Sequence, residues 1–203
     1  MLVLVRHGES EGNAAGLLLG RGEWPLTERG RAQAGSAAEL LAGCLSGVVS
    51  SPVGRARATA AILAERAGVD PVVIDERWAE LDYGTLDGMP LAEVPPSLWR
   101  QWQADIDFAP PGGESLADLG RRVRSACQDL AGADGPLADP DRHLAVVSHV
   151  SPVKAAVAWA LGVDDRVAWR MHLVPGGMTV IGWTGDRPTL RTFGVPVDRP
   201  VTG

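Results

Sequence analysis

With 203 residues, 45% of them hydrophobic and 22% charged, the chain is long enough to bury a core and has the balance of an ordinary globular protein. Its formal net charge of −6 excludes a general electrostatic attraction to nucleic acid or an anionic membrane, so an anionic ligand must be captured locally. No stretch approaches the roughly 18 consecutive apolar residues of a transmembrane helix, and the apolar start, residues 1–5, stops at Arg6, too short for a signal segment. The expectation is a single cytoplasmic domain over residues 1–203.

Residues 2–5 have the apolar run of a buried strand, followed by a Gly-rich connection. Residues 27–42 have helical spacing, with Thr27 as N-cap and Ala34, Ala37, Ala38, Leu40 and Leu41 on the apolar side. Residues 47–50 form the next strand. Ser51-Pro52 then supplies a cap and a proline at the first helical position, opening a helix to about residue 67. Residues 72–74 are a third strand candidate. Residues 85–113 carry five prolines with Trp99, Trp102 and Phe108 between them, which predicts short helices forming a roof over one face. Ser115 to Asp118 resembles a capping box for a helix to about residue 131, and residues 132–142 make a turn-rich loop. Residues 143–147 form a strand, Ser151-Pro152 caps a helix to residue 161, and strands over 178–183 and 189–195 flank Gly185-Asp186 before a frayed tail at 196–203. Alternating strands and helices predict an α/β fold, a three-layer α/β/α sandwich with a mostly parallel central sheet.

The polar residues gather at the strand ends. Arg6 and His7 end the first strand, Arg55 lies in the first turn after the second, and His149 follows the strand at 143–147. Ligands of open α/β sheets bind beyond the carboxyl ends of the strands, so two histidines and two arginines are expected in one crevice. Guanidinium forks suit phosphoryl oxygens, a neutral imidazole can attack phosphorus, and a protonated His149 would add a donor. The helices opening near Pro52 and Pro152 would add N-terminal N–H groups. Histidines at 7, 143, 149 and 172 have no metal-site spacing, and Cys44 and Cys127 sit in no paired motif and read as reduced core thiols. No metal and no cofactor is expected. Arg57, Arg66, Arg121 and Arg122 read as solvated helix residues.

Arg6-His7-Gly8-Glu9-Ser10 with Asn13 resembles the opening motif of the histidine phosphatase superfamily, in its phosphoglycerate-mutase-like branch. Leu26 to Gly30 with Gln33-Ala34, Ser50 to Pro52 with Arg55 and Thr59, Glu80 to Gly84, Pro111 to Ser115, and Val147 to His149 continue that resemblance in order along most of the chain. It implies that His7 is the phosphorylated nucleophile, that Arg6, Arg55 and His149 bind phosphoryl oxygens, and that Glu80 is the proton donor. It further implies phosphate contacts from Ser10, Asn13 and Val150, and a close approach of substrate to the backbone at Gly20. Dimers are common among such proteins, so a homodimer is one assembly open to the chain.

Mutases of this family place a lysine and paired arginines after the acid block. Between Glu80 and His149 this chain has no lysine, and the roof segment carries only Arg100. Leu81 stands where mutases carry arginine, and Leu19 replaces their threonine. The reading that follows is a phosphatase of small phosphorylated metabolites, with phosphoglycerate mutase as the alternative and a phosphate-sensing module with little catalysis as an alternative of another class.

Overall fold

The computed structural model describes residues 1–132, 134–137 and 143–197. In β1 (Leu2–Arg6) the first four residues are all buried. Because side chains alternate across a strand, Leu2 and Leu4 enter one core, with Val49 and Val146, while Val3 and Val5 enter another, with Val48, Ala145 and Val147. A strand apolar on both faces needs cover on both. On one side α5 (Leu116–Ala131) and α6 (Val150–Leu161) supply Leu119, Val123 and Val153; on the other, α2 (Glu28–Leu40) and α3 (Gly54–Ala67) supply Ala37, Ala38, Ala56, Ala60 and Leu63. Each fully buried Leu or Val stabilises by about 1.5–3 kcal/mol. The result is the expected three-layer α/β sandwich.

Six strands form one sheet in the order β3-β2-β4-β1-β5-β6, with β2 at Gly47–Ser50, β3 at Val73–Ile74, β4 at Leu144–Ser148, β5 at Met178–Thr184 and β6 at Arg187–Val195. The first four are mutually parallel, and β5 runs antiparallel to both β1 and β6, so the sheet is mixed with a parallel centre. The register sets Arg6 opposite Ser148 and Ser50 opposite Val147. Three carboxyl ends therefore finish level on one edge.

Several boundaries differ from the sequence expectation, for local reasons. A short helix, α1 (Glu11–Ala14), interrupts the Gly-rich connection, capped by Ser10. The helix α3 starts at Gly54, with Val53 as a cap that lends no side chain; Ser51 instead accepts from Val53 N and bonds His149. The helix α6 starts at Val150 with His149, not Ser151, at its cap position. The segment after β3 contains three-residue 3₁₀ turns at Gly84–Leu86 and Leu91–Glu93 and the helix α4 (Pro96–Ala104). Cys127 is a core thiol, but Cys44 is exposed on the turn after α2. The loop expected at 132–142 and the tail at 196–203 fall largely outside the described residues. Among the described residues no helix is long and apolar enough to cross a membrane.

Candidate functional site

Where β1 ends, the backbone of His7 is clamped: its N–H donates to Ser148 O (2.9 Å) and its carbonyl accepts from Gly176 N (3.0 Å). The ring is 2% exposed. Nδ1 lies 2.7 Å from Gly8 O, and Arg55 Nε–H donates to Nε2 over 3.1 Å. A carbonyl can only accept, so the network assigns a neutral imidazole with its proton on Nδ1 and its lone pair on Nε2. Burial first, then the Arg55 and Arg6 charges, push the His7 pKa well below the ordinary 6.5, against a smaller opposing effect of the Gly8 bond.

His149 is fully buried, its ring centroid 5.0 Å from that of His7. Burial and then the neighbouring His7 and Arg55 hold its pKa well below 6.5, so a protonated His149 is not what the fold provides. Its Nε2 lies 2.7 Å from Ser51 Oγ, which accepts from Val53 N. In the tautomer whose Nε2 takes the Ser51 hydroxyl proton, Nδ1 is left as a donor. Among the described residues, both His149 Nδ1 and Arg6 Nε are buried without a partner, a costly arrangement in a protein interior.

Both depressed histidines carry a linkage consequence. Each is neutral when folded but binds a proton near pH 6.5 when unfolded, so the stability they contribute is present above 6.5 and is lost as pH falls toward the folded values. Thermal melts between pH 8 and 5 should show Tm falling on the acid side of 6.5, and a His149→Asn variant should show a shallower fall.

Arg55 is 1% exposed. Beyond its bond to His7, Nη1 donates to Gly22 O (2.8 Å) and Nη2 to Gly20 O (2.7 Å). The N–H groups of Gly20 and Gly22 are in turn held by Asp87, at 2.8 and 2.7 Å. Gly20 thus orients a guanidinium with its carbonyl while Asp87 occupies its N–H. Each Nη keeps a second N–H. Arg6 donates from Nη1 to Leu173 O (2.5 Å), and burial lowers its pKa to about 10, which leaves it charged.

Asn13 fixes its amide through the cap of α1. Its Oδ1 accepts from both the N–H (3.1 Å) and the hydroxyl (3.0 Å) of Ser10. The NH₂ end of Asn13 remains available, whereas the Ser10 hydroxyl is committed to this cap.

Glu80 is 4% exposed. Its Oε1 accepts from Leu81 N (2.8 Å) and Ser151 N (3.2 Å), and its Oε2 from Val150 N (3.1 Å). The N-terminus of α6 thereby serves Glu80. That of α3 serves another acid, since Gly54 N donates to both Glu23 oxygens at 3.1 and 3.0 Å. The expectation that helix N-termini would hold a phosphoryl group fails, because two carboxylates already occupy those N–H groups. Arg122 is likewise not a solvated residue. It pairs with Glu114 (2.7 and 2.8 Å) and donates to the carbonyls of Arg77, Ala79 and Glu80 at 2.6, 2.8 and 3.2 Å, bracing the turn that carries Glu80.

A cavity of about 280 Å³ lies over His7. Arg6, Asn13, Arg55, Glu80, Val150 and Lys154 line it, with apolar walls that include Leu19, Leu91, Trp99, Trp102 and Trp169. Leu91, Trp99 and Trp102 come from residues 85–113, where Trp102 packs against Trp99 (5.5 Å), Tyr83 (5.6 Å) and Phe108 (5.9 Å between centroids). The structure therefore brings Arg6, His7, Arg55, Glu80 and His149 together with Asn13 and Val150. Ser10, Gly20 and His149 support this group without lining the cavity. Sequence reasoning missed Asp87, Arg122 and Lys154. Only Lys154 left a trace, four residues past Val150 and so on the same helix face. Among the described residues no three His, Cys, Asp or Glu cluster as a metal ion would require.

A family model described as the histidine phosphatase superfamily, branch 1, matches residues 2–196. A bifunctional protein of Mycobacterium tuberculosis is 37% identical over 191 residues, 91% of this chain; the chain spans about half of that relative's length (50%). A glucosyl-3-phosphoglycerate phosphatase of Mycolicibacterium vanbaalenii is 37% identical over 203 residues, covering 96% of this chain and 87% of the relative. The solved structure of a mycobacterial glucosyl-3-phosphoglycerate phosphatase in complex with VO₃ superposes with a TM-score of 0.86 at 31% identity, over 96% of this chain and 98% of that one.

Proposed function

Because the chain belongs to branch 1 of the histidine phosphatase superfamily, we propose that it hydrolyses small phosphomonoesters through a phosphohistidine on His7. One observation carries this reading: a neutral imidazole with its Nδ1 proton anchored on Gly8 O and its Nε2 lone pair beside two guanidinium groups. The similarity to a glucosyl-3-phosphoglycerate phosphatase over 96% of the chain supports it.

In the first step the phosphoryl group enters between Arg6 and Arg55. Its oxygens take the free N–H groups of Arg55, the orphaned Arg6 Nε and the orphaned His149 Nδ1, with Asn13 contributing its NH₂. His7 Nε2 forms a bond to phosphorus while the bond to the leaving oxygen breaks, and Glu80, which rests as an acceptor of three N–H groups, relays a solvent proton to that oxygen. In the second step a water attacks phosphorus, Glu80 takes back a proton from it, and the P–N bond breaks to restore His7. Fixed guanidinium charge stabilises both transition states. The small metabolite enters under the tryptophan-rich roof, in a cytoplasmic protein with a homodimer as its proposed assembly.

The test is turnover of a phosphomonoester panel beside phosphoglycerate primed with bisphosphoglycerate, with acid-quenched samples assayed for phosphohistidine. Release of phosphate with an acid-labile phosphoenzyme is expected. Isomerisation faster than hydrolysis would make the protein a mutase, and absence of the phosphoenzyme would leave only a sensing role.

Asp87 acts two steps from the chemistry. It holds the N–H groups of the same two residues whose carbonyls hold Arg55. Asp87→Asn turns one accepting oxygen into a donor facing an N–H. Single-turnover phosphorylation of His7 should slow about tenfold with KM nearly unchanged. An unaltered rate would mean that the loop holds Arg55 unaided.

A further inference from the structure

Arg6, His7, Asn13, Arg55 and Glu80 serve the phosphoryl group, and three further polar side chains line the cavity: Tyr83, Ser151 and Lys154. All three belong to the same end. The Ser151 N–H holds Glu80 (3.2 Å), the Tyr83 hydroxyl shares a hydrogen bond with Ser151, and Lys154 lies in the fields of Glu80 and Arg6. Among the described residues the rest of the side-chain lining is apolar, and Leu17, Leu19, Leu91, Trp99, Ala168 and Trp169 make up most of it. The Trp169 indole N–H is buried, so its ring rather than its donor faces the space.

Three chain segments build this wall, and each is held. Residues 16–18 are tied to the roof through the backbone: Leu18 N donates to Met89 O (2.8 Å), Gly88 N to Leu18 O (2.8 Å), and Leu91 N to Gly16 O (2.9 Å). Trp99, on α4, packs at 5.5 Å on Trp102, which is buried together with Leu18 and Val94. Trp169, on the 3₁₀ helix Asp165–Arg170, meets Trp99 edge-on at 6.3 Å between ring centroids. Side chains fixed in this way lose little freedom when a ligand arrives, so the area they cover is kept as affinity. A hydroxyl-rich alcohol would set its donors and acceptors against surfaces that cannot answer them.

We propose that this wall is a subsite for the alcohol portion of the substrate, and that it selects phosphomonoesters of apolar alcohols over polyhydroxylated ones of equal size. The subsite rests on the phosphatase reading of His7 and adds a claim about which ester is cleaved. The cavity sets the size of the alcohol. At about 280 Å³ it falls at the low end of small-molecule sites, about 300–1,000 Å³, and the phosphoryl group takes part of it. A hydrocarbon skeleton of one ring or a short chain fills what remains.

The experiment compares cyclohexylmethyl phosphate with glucose 6-phosphate, both phosphate esters carried on a six-membered ring through a CH₂ group. Ethyl and butyl phosphate form a second pair with similar leaving groups. Wild type should favour cyclohexylmethyl phosphate by at least tenfold in kcat/KM, and butyl over ethyl phosphate by about fifteenfold, roughly fourfold for each added methylene. Leu91 is exposed, so Leu91→Asn leaves the core untouched; it should lower both ratios by a few-fold, mainly through KM. Trp99→Ala should lower them at least fivefold, and Trp99→Phe should restore part of the loss. A wild-type ratio near or below one for either pair, or ratios unchanged in both Leu91→Asn and Trp99→Ala, overturns the subsite, while phosphorylation of His7 leaves the phosphatase reading intact. If none of the four esters phosphorylates His7, that reading fails instead, and calorimetric binding of the same esters decides the subsite alone. Tighter binding of cyclohexylmethyl phosphate that Trp99→Ala weakens supports it, and equal or reversed affinities overturn it.

Discussion

His7→Ala is expected to lower kcat toward any phosphomonoester by about 10⁴-fold or more, because it removes the atom that bonds to phosphorus. No neighbour can replace it. Its ring neighbour His149, 5.0 Å away between centroids, is fully buried, has Nε2 bonded to Ser51 and does not line the cavity. The fold should survive, since Arg55 keeps its bonds to Gly20 and Gly22 and the backbone of residue 7 remains clamped to Ser148 and Gly176. The measurement is steady-state phosphate release beside a thermal melt, with acid-quenched phosphoenzyme as the direct readout. A variant that melts normally and still turns over within tenfold of wild type would refute covalent catalysis at His7.

Gly8→Ala should be equally damaging by a different route. A Cβ on Gly8 would meet Gly30 O at 2.1 Å, and one on Gly30 would meet Glu9 O at 2.0 Å. Both obstacles are backbone, so no side chain can swing aside. The close approach is secured from both sides: Thr27 N donates to Glu9 O (3.0 Å), Thr27 Oγ1 to Glu9 Oε1 (2.9 Å), and Glu9 N to Gln33 Oε1 (2.9 Å). Overpacking against such a frame costs about 3 kcal/mol, or ~6–12 °C in Tm for a chain of this size. Any folded fraction should also be slow, because Gly8 O orients His7. A melt within about 2 °C of wild type would show that the loop and α2 can separate without loss.

How much of this was legible depends on the kind of information each residue carries. The strands β1, β2 and β4 were readable because they are short apolar runs ended by polar residues, and an α/β pattern sends those ends to one edge. Thr27 and Ser115 were readable as caps because capping is a matter of local spacing. Ser51 and Ser151 have the same local pattern before proline, but tertiary partners override it: Ser51 is drawn to His149, and the N–H of Ser151 to Glu80. Asp87, Glu23 and Arg122 could not be read, since their partners are distant in sequence and nothing in their own neighbourhood marks the pairing. Lys154 is the sole lysine of the sequence, but its place on the cavity wall comes from the packing of α6 beside β1, which no local pattern marks.

The bond between Arg55 Nε and His7 Nε2 has a consequence for stray chemistry. In this structure that N–H caps the lone pair on the nucleophile. An electrophile without oxyanions offers Arg55 no better acceptor, so it meets a masked nitrogen. A phosphoryl group offers several, and by drawing the guanidinium onto itself it uncovers the atom that attacks it. The reagent best able to unmask His7 is therefore the one the site is built to consume, and the unliganded protein should react sluggishly with neutral acylating agents despite holding an unprotonated imidazole.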